Sequence, residues 1–227
     1  DKYVDIVSVG DSLGSVLYNY KTTRSVSLTE MINHSKSVRL GVQKSLMVVD
    51  MPYKTYDTSV SALKNSKKIM KETKCDAVKL EGGKKIIKQI RALTKNNIPV
   101  MGHLGLLPQS AKGKFKSKGK TTKEINQLIN DALLLQKNGV FAIVLECIKT
   151  PIAKQITKSL KIPTIGIGSS VYCDGQVLVT DDLIGLNQTN IKFVKKFLNV
   201  KKYINSGLRK FAYEVRTSKY PTKKHSY

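Results

Sequence analysis

The feature that most constrains the fold of this 227-residue chain is a repeated alternation of short apolar, β-branched runs with longer segments of helical periodicity. The longer segments place apolar residues three or four positions apart, as one buried face of a helix requires. Strands that alternate with helices are typical of a parallel sheet, so the sequence predicts an α/β fold. The seven runs expected to form strands are 3–9, 46–49, 77–80, 98–101, 140–145, 163–167 and 177–179.

Acidic residues follow several of the predicted strands directly. Asp11, Asp50, Glu81 and Glu146 stand at four such ends. A (β/α)8 TIM barrel carries its functional residues at the carboxyl ends of its strands. An open doubly wound sheet would not normally place functional residues after nearly every strand. The barrel is therefore favoured. The open sheet is the alternative, although no G-x-G-x-x-G motif opens a helix.

The extent of the barrel follows from the strand count and from the first residue. Seven strand-then-helix units are one short of a complete barrel, and the chain starts at Asp1 rather than Met. We therefore expect residues 1–227 to form a single, N-terminally incomplete barrel domain that lacks its first strand and helix. No apolar run approaches the roughly 18 residues of a membrane span, so a membrane partner is not expected.

Helix starts are marked by capping signals. Ser27 with Glu30 and Thr121 with Glu124 each have the spacing of a capping box. Thr150 is expected to be the N-cap of a later helix, with proline at its first position. A long basic helical stretch is expected over the last third of the chain.

The charge of +24 invites a nucleic-acid interpretation, which the residue types disfavour. Only five of the 40 basic residues are arginine, the side chain that binds phosphate and bases in a bidentate manner. The lysines are scattered over every predicted helix and loop, as solvated faces would be. We therefore expect no nucleic-acid partner.

The three cysteines, Cys75, Cys147 and Cys173, are odd in number and form no C-x-x-C pair. This spacing argues against a disulfide framework and against a zinc site. A reducing compartment fits best, so a cytoplasmic location is expected.

A candidate site lies in VKLEGG, residues 78–83, where Lys79 and Glu81 share one face of a strand. In a barrel, Asp11 and Asp50 would meet Glu81 at the same rim. Three carboxylates in one pocket repel each other unless a cation keeps them ionised, and an oxygen-only ligand set favours Mg²⁺. The alternative is that each acid caps a neighbouring helix.

Seven motifs, in order along the chain, resemble ketopantoate hydroxymethyltransferase. They are VGDSLG (9–14), VDMP (49–52), VKLEGG, GHLGLLPQS (102–110), VLEC (144–147), IGIG with DGQ (165–168 and 174–176), and the terminal YP followed by HS. The resemblance implies a TIM barrel of the phosphoenolpyruvate/pyruvate-like type. It also implies transfer of a hydroxymethyl group from 5,10-methylenetetrahydrofolate, a reduced folate, to 3-methyl-2-oxobutanoate in pantothenate and coenzyme A synthesis. A cytoplasmic homo-oligomer, often a decamer in this family, is implied as well.

The resemblance also implies roles for individual residues. Asp11 and Asp50 would ligate Mg²⁺ and bind substrate, and Glu81 would complete the metal site. Ser12 and Lys79 would bind the 2-oxo acid. The general base would be Glu146. No role is assigned to His103, because a single histidine at a strand end is more often a hydrogen-bonded structural residue.

The chain departs from the family pattern in several places. Leu107 replaces threonine in GHxGLTPQS, Ser169 and Ser170 follow the glycines of IGIG, and the glycine-rich loop is replaced by GKFKSKG at 113–119. Alternating lysines in 111–120 could steer anionic substrates, which would make kcat/KM fall steeply with salt. A solvated loop is the simpler interpretation.

Two rival functions remain open from sequence alone. A lyase or mutase of the phosphoenolpyruvate and isocitrate lyase type would share the barrel and Mg²⁺, but its K-[KR]-C-G-H signature is missing. A truncated, inactive barrel acting as a basic binding protein is the other rival, against which the intact set of acids argues.

Overall fold

The computed structural model describes residues 1–111, 116–187 and 191–227. The chain divides into two compact units, Asp1–Val177 and Leu178–Tyr227, and each is described by itself. That residues 1–227 form one incomplete barrel domain stays a prediction.

The first unit is built on one sheet of seven parallel strands whose spatial order follows the order of the chain. A doubly wound sheet reverses its strand order at a switch point, whereas a barrel adds each strand beside the previous one. The sequential order therefore confirms the α/β fold of barrel type. The strands are β1 Ile6–Val9, β2 Leu46–Asp50, β3 Ala77–Glu81, β4 Val100–Gly105, β5 Ala142–Glu146, β6 Thr164–Ile167 and β7 Gly175–Gln176.

Helices connect the strands and cover one face of the sheet. They are α1 Leu13–Val16, α2 Leu28–Gly41, α3 Ser59–Thr73, α4 Ile87–Thr94, α5 Thr122–Lys137 and α6 Thr150–Ser159. Their buried stripes pack on the strands in one large apolar cluster, to which Ile69, Ile90 and Leu135 contribute fully buried side chains.

The capping predictions are confirmed in part. Ser27 and Glu30 form the complete capping box, with both reciprocal hydrogen bonds. Thr121 accepts from the Glu124 N–H, but the Glu124 carboxylate accepts from the N–H groups of Gly119 and Lys120 instead of returning to Thr121. The prediction for Thr150 is wrong by one position, because Lys149 is the N-cap of α6.

A second, smaller apolar cluster lies on the opposite face of the strands, which is the interior of the barrel. Its buried members are Val48, Ala77, Met101, Ala142 and Val144. Side chains two positions apart point to the same face of a strand. The next interior positions towards the carboxyl ends are polar, namely Asp50, Lys79, His103 and Glu146. The fold thus places an apolar layer directly beneath them.

Two predictions near the end of the chain need correction. The seventh strand was expected at 177–179, but β7 is formed by Gly175–Gln176, and Val177 contributes one further N–H to Gly166. The basic stretch is not one long helix. The second unit contains α7 Thr180–Leu183 and α8 Val200–Arg216, separated by non-helical residues where the chain is described.

Helix α8 is amphipathic and has no buried residue. Ile204, Leu208, Phe211 and Val215 form an exposed apolar stripe along it. Within the described ranges, no helix is long and apolar enough to cross a membrane.

Candidate active site

The candidate site lies at the carboxyl ends of β2 to β5, on the interior face of the barrel. Asp50 ends β2, Lys79 and Glu81 lie on β3, His103 lies on β4, and Glu146 ends β5. The strand register pairs Asp50 with Lys79 and Glu81 with His103. Four of these five side chains are buried, and Glu146 is half-buried. The register alone therefore brings the ionisable groups of neighbouring strands together.

Lys79 is the buried cation of the site. Its Nζ lies 3.1 Å from Asp50 Oδ1. Burial by itself would lower the pKa of Lys79, but the charges of Asp50, Glu81 and Asp11 outweigh it and raise the pKa above its usual value. The ammonium therefore stays protonated at neutral pH, where it can attract an anionic ligand.

Asp11 and Asp50 form the second feature of the site, a pair of buried carboxylates. The backbone N–H of Asp11 donates to Asp50 Oδ2 at 3.1 Å. Burial and the charge of Asp50 raise the pKa of Asp11 to about 6, and Glu146 adds a smaller effect in the same direction. Asp50 Oδ1 has no aligned hydrogen-bond donor, although Lys79 is close. The charge of this oxygen is balanced by the Lys79 ammonium, and a pair of adjacent carboxylates is a donor set suited to a hard divalent cation.

Ser12 follows Asp11 and is half-buried at the start of α1. A Cβ on Gly10 would lie 3.2 Å from Ser12 Oγ and 3.5 Å from Asp50 Oδ2. The serine hydroxyl and the Asp50 carboxylate therefore face the same space beside the Gly10 backbone.

His103 stands between two acids. Its Nδ1 lies 3.3 Å from Lys79 Nζ and 3.6 Å from Glu81 Oε1, and its Nε2 lies 3.1 Å from Glu146 Oε2. Burial and the charge of Lys79 lower the pKa of His103, so the ring is neutral. An ammonium can only donate, so we assign the proton to Nε2, facing Glu146. Nε2 is within reach of that carboxylate but is not aligned for a hydrogen bond.

Glu81 differs from the two aspartates in its direct partners. Its Oε2 accepts from the Gln109 N–H at 3.0 Å, and its other oxygen faces His103. Burial raises the pKa of Glu81 to about 8, which the charge of Lys79 offsets only in part. The carboxyl group is therefore largely protonated at neutral pH.

A metal site of three carboxylates is not found as a preformed cluster. In the described parts of the chain, no group of three or more His, Cys, Asp or Glu side chains is arranged to hold a metal ion. Mg²⁺, however, is often held by one or two carboxylates together with substrate and water oxygens. Asp11 and Asp50, two buried carboxylates joined by a backbone hydrogen bond, fit such a site. That Glu81 is also a ligand stays a prediction.

The sequence reasoning missed Gln109 and Tyr56. Gln109 is 2% exposed, and its Nε2 donates to Asp11 Oδ2 at 2.8 Å and to the Met51 carbonyl at 3.0 Å. Tyr56 O–H donates to Gln109 Oε1 at 2.5 Å. Gln109 lies inside the GHLGLLPQS motif, so the signal was present, but no residue type or spacing indicated its partners.

The backbone beside Glu146 is closely packed. Gly105 has φ +100°, and a Cβ there would lie 2.1 Å from the Glu146 carbonyl oxygen. That oxygen accepts from the Leu106 N–H at 2.8 Å. After Glu146, the Cys147 carbonyl accepts from the Lys118 N–H at 2.8 Å. Residues 112–115 of the lysine-rich segment lie outside the described residues, so its steering role stays a prediction.

Residues 1–223 match the family described as ketopantoate hydroxymethyltransferase. A protein of Pelagibacter ubique named 3-methyl-2-oxobutanoate hydroxymethyltransferase is 61% identical over 227 residues, which is all of this chain and 88% of that protein. A protein of the same name from Clostridioides difficile is 45% identical over 225 residues, covering 97% of this chain and 82% of that protein.

The solved structures that resemble this one share its fold but little of its sequence. 2,3-Dimethylmalate lyase, described as a member of the PEP mutase/isocitrate lyase superfamily, has a TM-score of 0.58 at 10% identity, over 99% of this chain and 77% of that chain. Oxaloacetate acetylhydrolase, in complex with 3,3-difluorooxalacetate, has a TM-score of 0.57 at 10% identity, over 98% and 87%. These similarities support the barrel type predicted from the sequence.

Proposed function

Because the chain belongs to the ketopantoate hydroxymethyltransferase family, we propose that it transfers a hydroxymethyl group from 5,10-methylenetetrahydrofolate to 3-methyl-2-oxobutanoate. The product is ketopantoate, for pantothenate and coenzyme A synthesis. The observation that carries this proposal is one buried site that combines a protonated lysine, two adjacent carboxylates and a partly exposed glutamate beside a neutral histidine.

The substrate is an anion with a keto oxygen beside its carboxylate. Lys79 supplies the positive charge that attracts it, in a buried environment where electrostatic attraction is strong. Ser12 lies next to the aspartates and can donate its hydroxyl hydrogen to a substrate oxygen. Both residues were predicted to bind the oxo acid, and their positions support that role.

Mg²⁺ is proposed as the cofactor, with Asp11 and Asp50 as the residues that hold it. When bound, the ion polarises the keto group of the substrate and so acidifies the proton on C3. Asp11 has to be ionised to act as a ligand, and its pKa of about 6 allows this at neutral pH. Glu81, largely protonated, is better suited to a contact through water than to direct ligation.

Glu146 is proposed as the general base. Its side chain is 15% exposed, more than that of Lys79 or Asp50, and His103 Nε2 lies 3.1 Å from Oε2. His103 acts as a positioning residue, because it can hold one carboxylate oxygen while the other removes the C3 proton. The resulting enolate carbon forms a bond to the one-carbon unit, whose two C–N bonds to the folate break. Water supplies the hydroxyl group, the folate nitrogens take up the two released protons, and tetrahydrofolate leaves.

Three further expectations belong to the proposal. The co-substrate is the reduced folate, the assembly is a homo-oligomer, and the location is cytoplasmic. Each rests on resemblance to the family and stays a prediction.

The proposal is tested by exchange of the C3 proton of 3-methyl-2-oxobutanoate in deuterated buffer with Mg²⁺ and without folate. The wild-type protein should catalyse exchange, and Glu146→Gln should reduce it by about 100-fold or more, the usual contribution of a general base. The complete reaction with folate should then give ketopantoate. Absence of exchange by the folded wild-type protein would contradict the proposed enolisation.

A further inference from the structure

Gln109 has an unusual set of partners for a residue outside the strands. Its backbone N–H and its side-chain amide donate to acids from two different strand ends, Glu81 at the end of β3 and Asp11 after β1. The same amide nitrogen also reaches the Met51 carbonyl, just after β2. One residue thus ties together the carboxyl ends of three neighbouring strands.

The orientation of the Gln109 amide is fixed by its neighbours. Nε2 faces a carboxylate oxygen and a carbonyl oxygen, both of which can only accept. Oε1 takes the hydroxyl hydrogen of Tyr56, which is itself only 8% exposed. A flipped amide would place oxygen against two oxygens, so only one orientation satisfies the site.

The backbone of Gln109 is held as firmly as its side chain. Arg24 Nε donates to the Gln109 carbonyl at 2.7 Å. The Arg24 guanidinium also lies 5.0 Å from the centre of the Tyr53 ring, in cation–π contact. Arg24 therefore holds the backbone of Gln109, and Tyr53 packs against the guanidinium of Arg24.

We propose that Gln109, oriented by Tyr56, is a positioning residue that sets the rotamer of Asp11 and presents its Oδ1 to the ligand space. Oδ2 of Asp11 is occupied by the amide, which leaves the other oxygen for a cation or substrate. The Glu81 carboxyl is held by the same residue through the backbone. This inference rests on the proposed function for its kinetic readout, but not for its binding readout.

Two variants separate the parts of this arrangement. Gln109→Met keeps the length of the side chain and removes both donors to Asp11 and Met51. Tyr56→Phe removes one hydroxyl and leaves the Gln109–Asp11 hydrogen bond possible. Gln89→Met is the matched control, because Gln89 is also buried and donates its Nε2 to a backbone carbonyl, that of Asp57, but forms no hydrogen bond with Asp11, Asp50 or Glu81.

The first measurement is Mg²⁺ affinity of the purified, full chain by calorimetry with the metal alone. Gln109→Met should weaken it about 10- to 100-fold, the usual effect of removing a group that orients a metal ligand. Tyr56→Phe should weaken it less, and Gln89→Met should leave it unchanged. Circular dichroism and thermal unfolding establish that each variant is folded. Should Gln109→Met fail to fold, the Mg²⁺ affinity of Tyr56→Phe still tests the positioning role.

The second measurement separates kcat from KM. We expect Gln109→Met to lower kcat by about 10-fold or more, and Tyr56→Phe to change it in the same direction. If the wild type is active and both variants equal it in Mg²⁺ affinity and in kcat, the positioning role is overturned and the proposed function stands. If the wild type is inactive but binds Mg²⁺, and Gln109→Met binds Mg²⁺ more weakly, the proposed function fails and the positioning role survives. A wild type that neither binds Mg²⁺ nor turns over would overturn both the proposed function and the positioning role. Losses in Gln89→Met equal to those in Gln109→Met would overturn the positioning role alone.

Discussion

His103 Nε2 lies 3.1 Å from Glu146 Oε2, across two neighbouring strands whose register pairs His103 with Val144. The histidine is buried and neutral, so it can donate one hydrogen to the carboxylate without competing for the substrate proton. This relationship gives His103, which the sequence left without a role, a defined place behind the proposed base.

Removal of the imidazole is therefore expected to impair turnover more than binding. His103→Leu should lower kcat about 10- to 100-fold with little change in KM for the oxo acid, because Glu146 loses the donor that orients it. His103→Gln should recover part of the loss, since its amide can still donate near the same place. Steady-state kinetics of both variants measures this split. Equal kcat in His103→Leu and wild type would exclude the positioning role.

Lys79 is expected to matter for both stability and substrate binding. Lys79→Met leaves Asp50 buried without its cation, which typically destabilises a fold by about 3–5 kcal/mol. KM for the oxo acid should rise as well. The double variant Lys79→Met, Asp50→Asn should recover much of the stability, since the unpaired charge is gone. Denaturant unfolding of the single and double variants provides the test, and additive losses would contradict a direct pairing.

The barrel could be predicted because its determinants are local and repetitive. Apolar runs, helical stripes and capping signals such as Ser27 with Glu30 lie within a few residues of each other. The acids at strand ends were also predictable, because parallel strands bring their carboxyl ends to one rim. The seventh strand was misplaced because residue type alone does not fix strand pairing. Val177, Leu178 and Val179 are β-branched or apolar, but Gly175 and Gln176 are the residues that pair with β6.

The partners within the site could not be predicted. Which acid faces the cation and which faces His103 depends on side-chain rotamers and on the loop that carries Gln109, 28 residues after Glu81. Spacing along the chain contains no information about such a contact. The environment of Glu81, which differs from that of Asp11 and Asp50, is therefore a result of tertiary structure alone.

Gly105 is expected to be intolerant of any side chain. Gly105→Ala has to adopt φ +100° and would place its Cβ 2.1 Å from the Glu146 carbonyl oxygen, so the backbone beside the proposed base has to move. We expect a loss of at least about 2 kcal/mol in the free energy of unfolding, together with a loss of C3 exchange. Gly207→Ala in α8 is the control. A Cβ at Gly207 meets nothing within 4 Å, and the helical interior should gain about 1 kcal/mol from alanine. Similar effects of the two substitutions would refute the close approach at Gly105.

Glu81 should make the stability of the metal-free protein depend on pH. Its pKa is raised from 4.5 to about 8 in the folded state, so between these values the folded chain retains a proton that the unfolded chain has released. Stability should therefore fall as pH rises from about 4.5 to about 8, and then level off. Glu81→Gln removes this contribution, so its stability relative to wild type should increase across the same range. Thermal unfolding in chelator-containing buffers at several pH values measures the difference.

Glu124 supplies a control of opposite sign for that experiment. Its carboxylate accepts from the Lys120 N–H, and its pKa is lowered because these hydrogen bonds favour the ionised form. The contribution of Glu124 to stability is therefore present above the unfolded-state pKa and is lost as pH falls. Glu124→Gln should be less stable than wild type at neutral pH and should approach it in acid, whereas Glu81→Gln should gain on wild type as pH rises. Parallel pH profiles for Glu81→Gln and wild type would show that the Glu81 carboxyl is not buried in the protonated form.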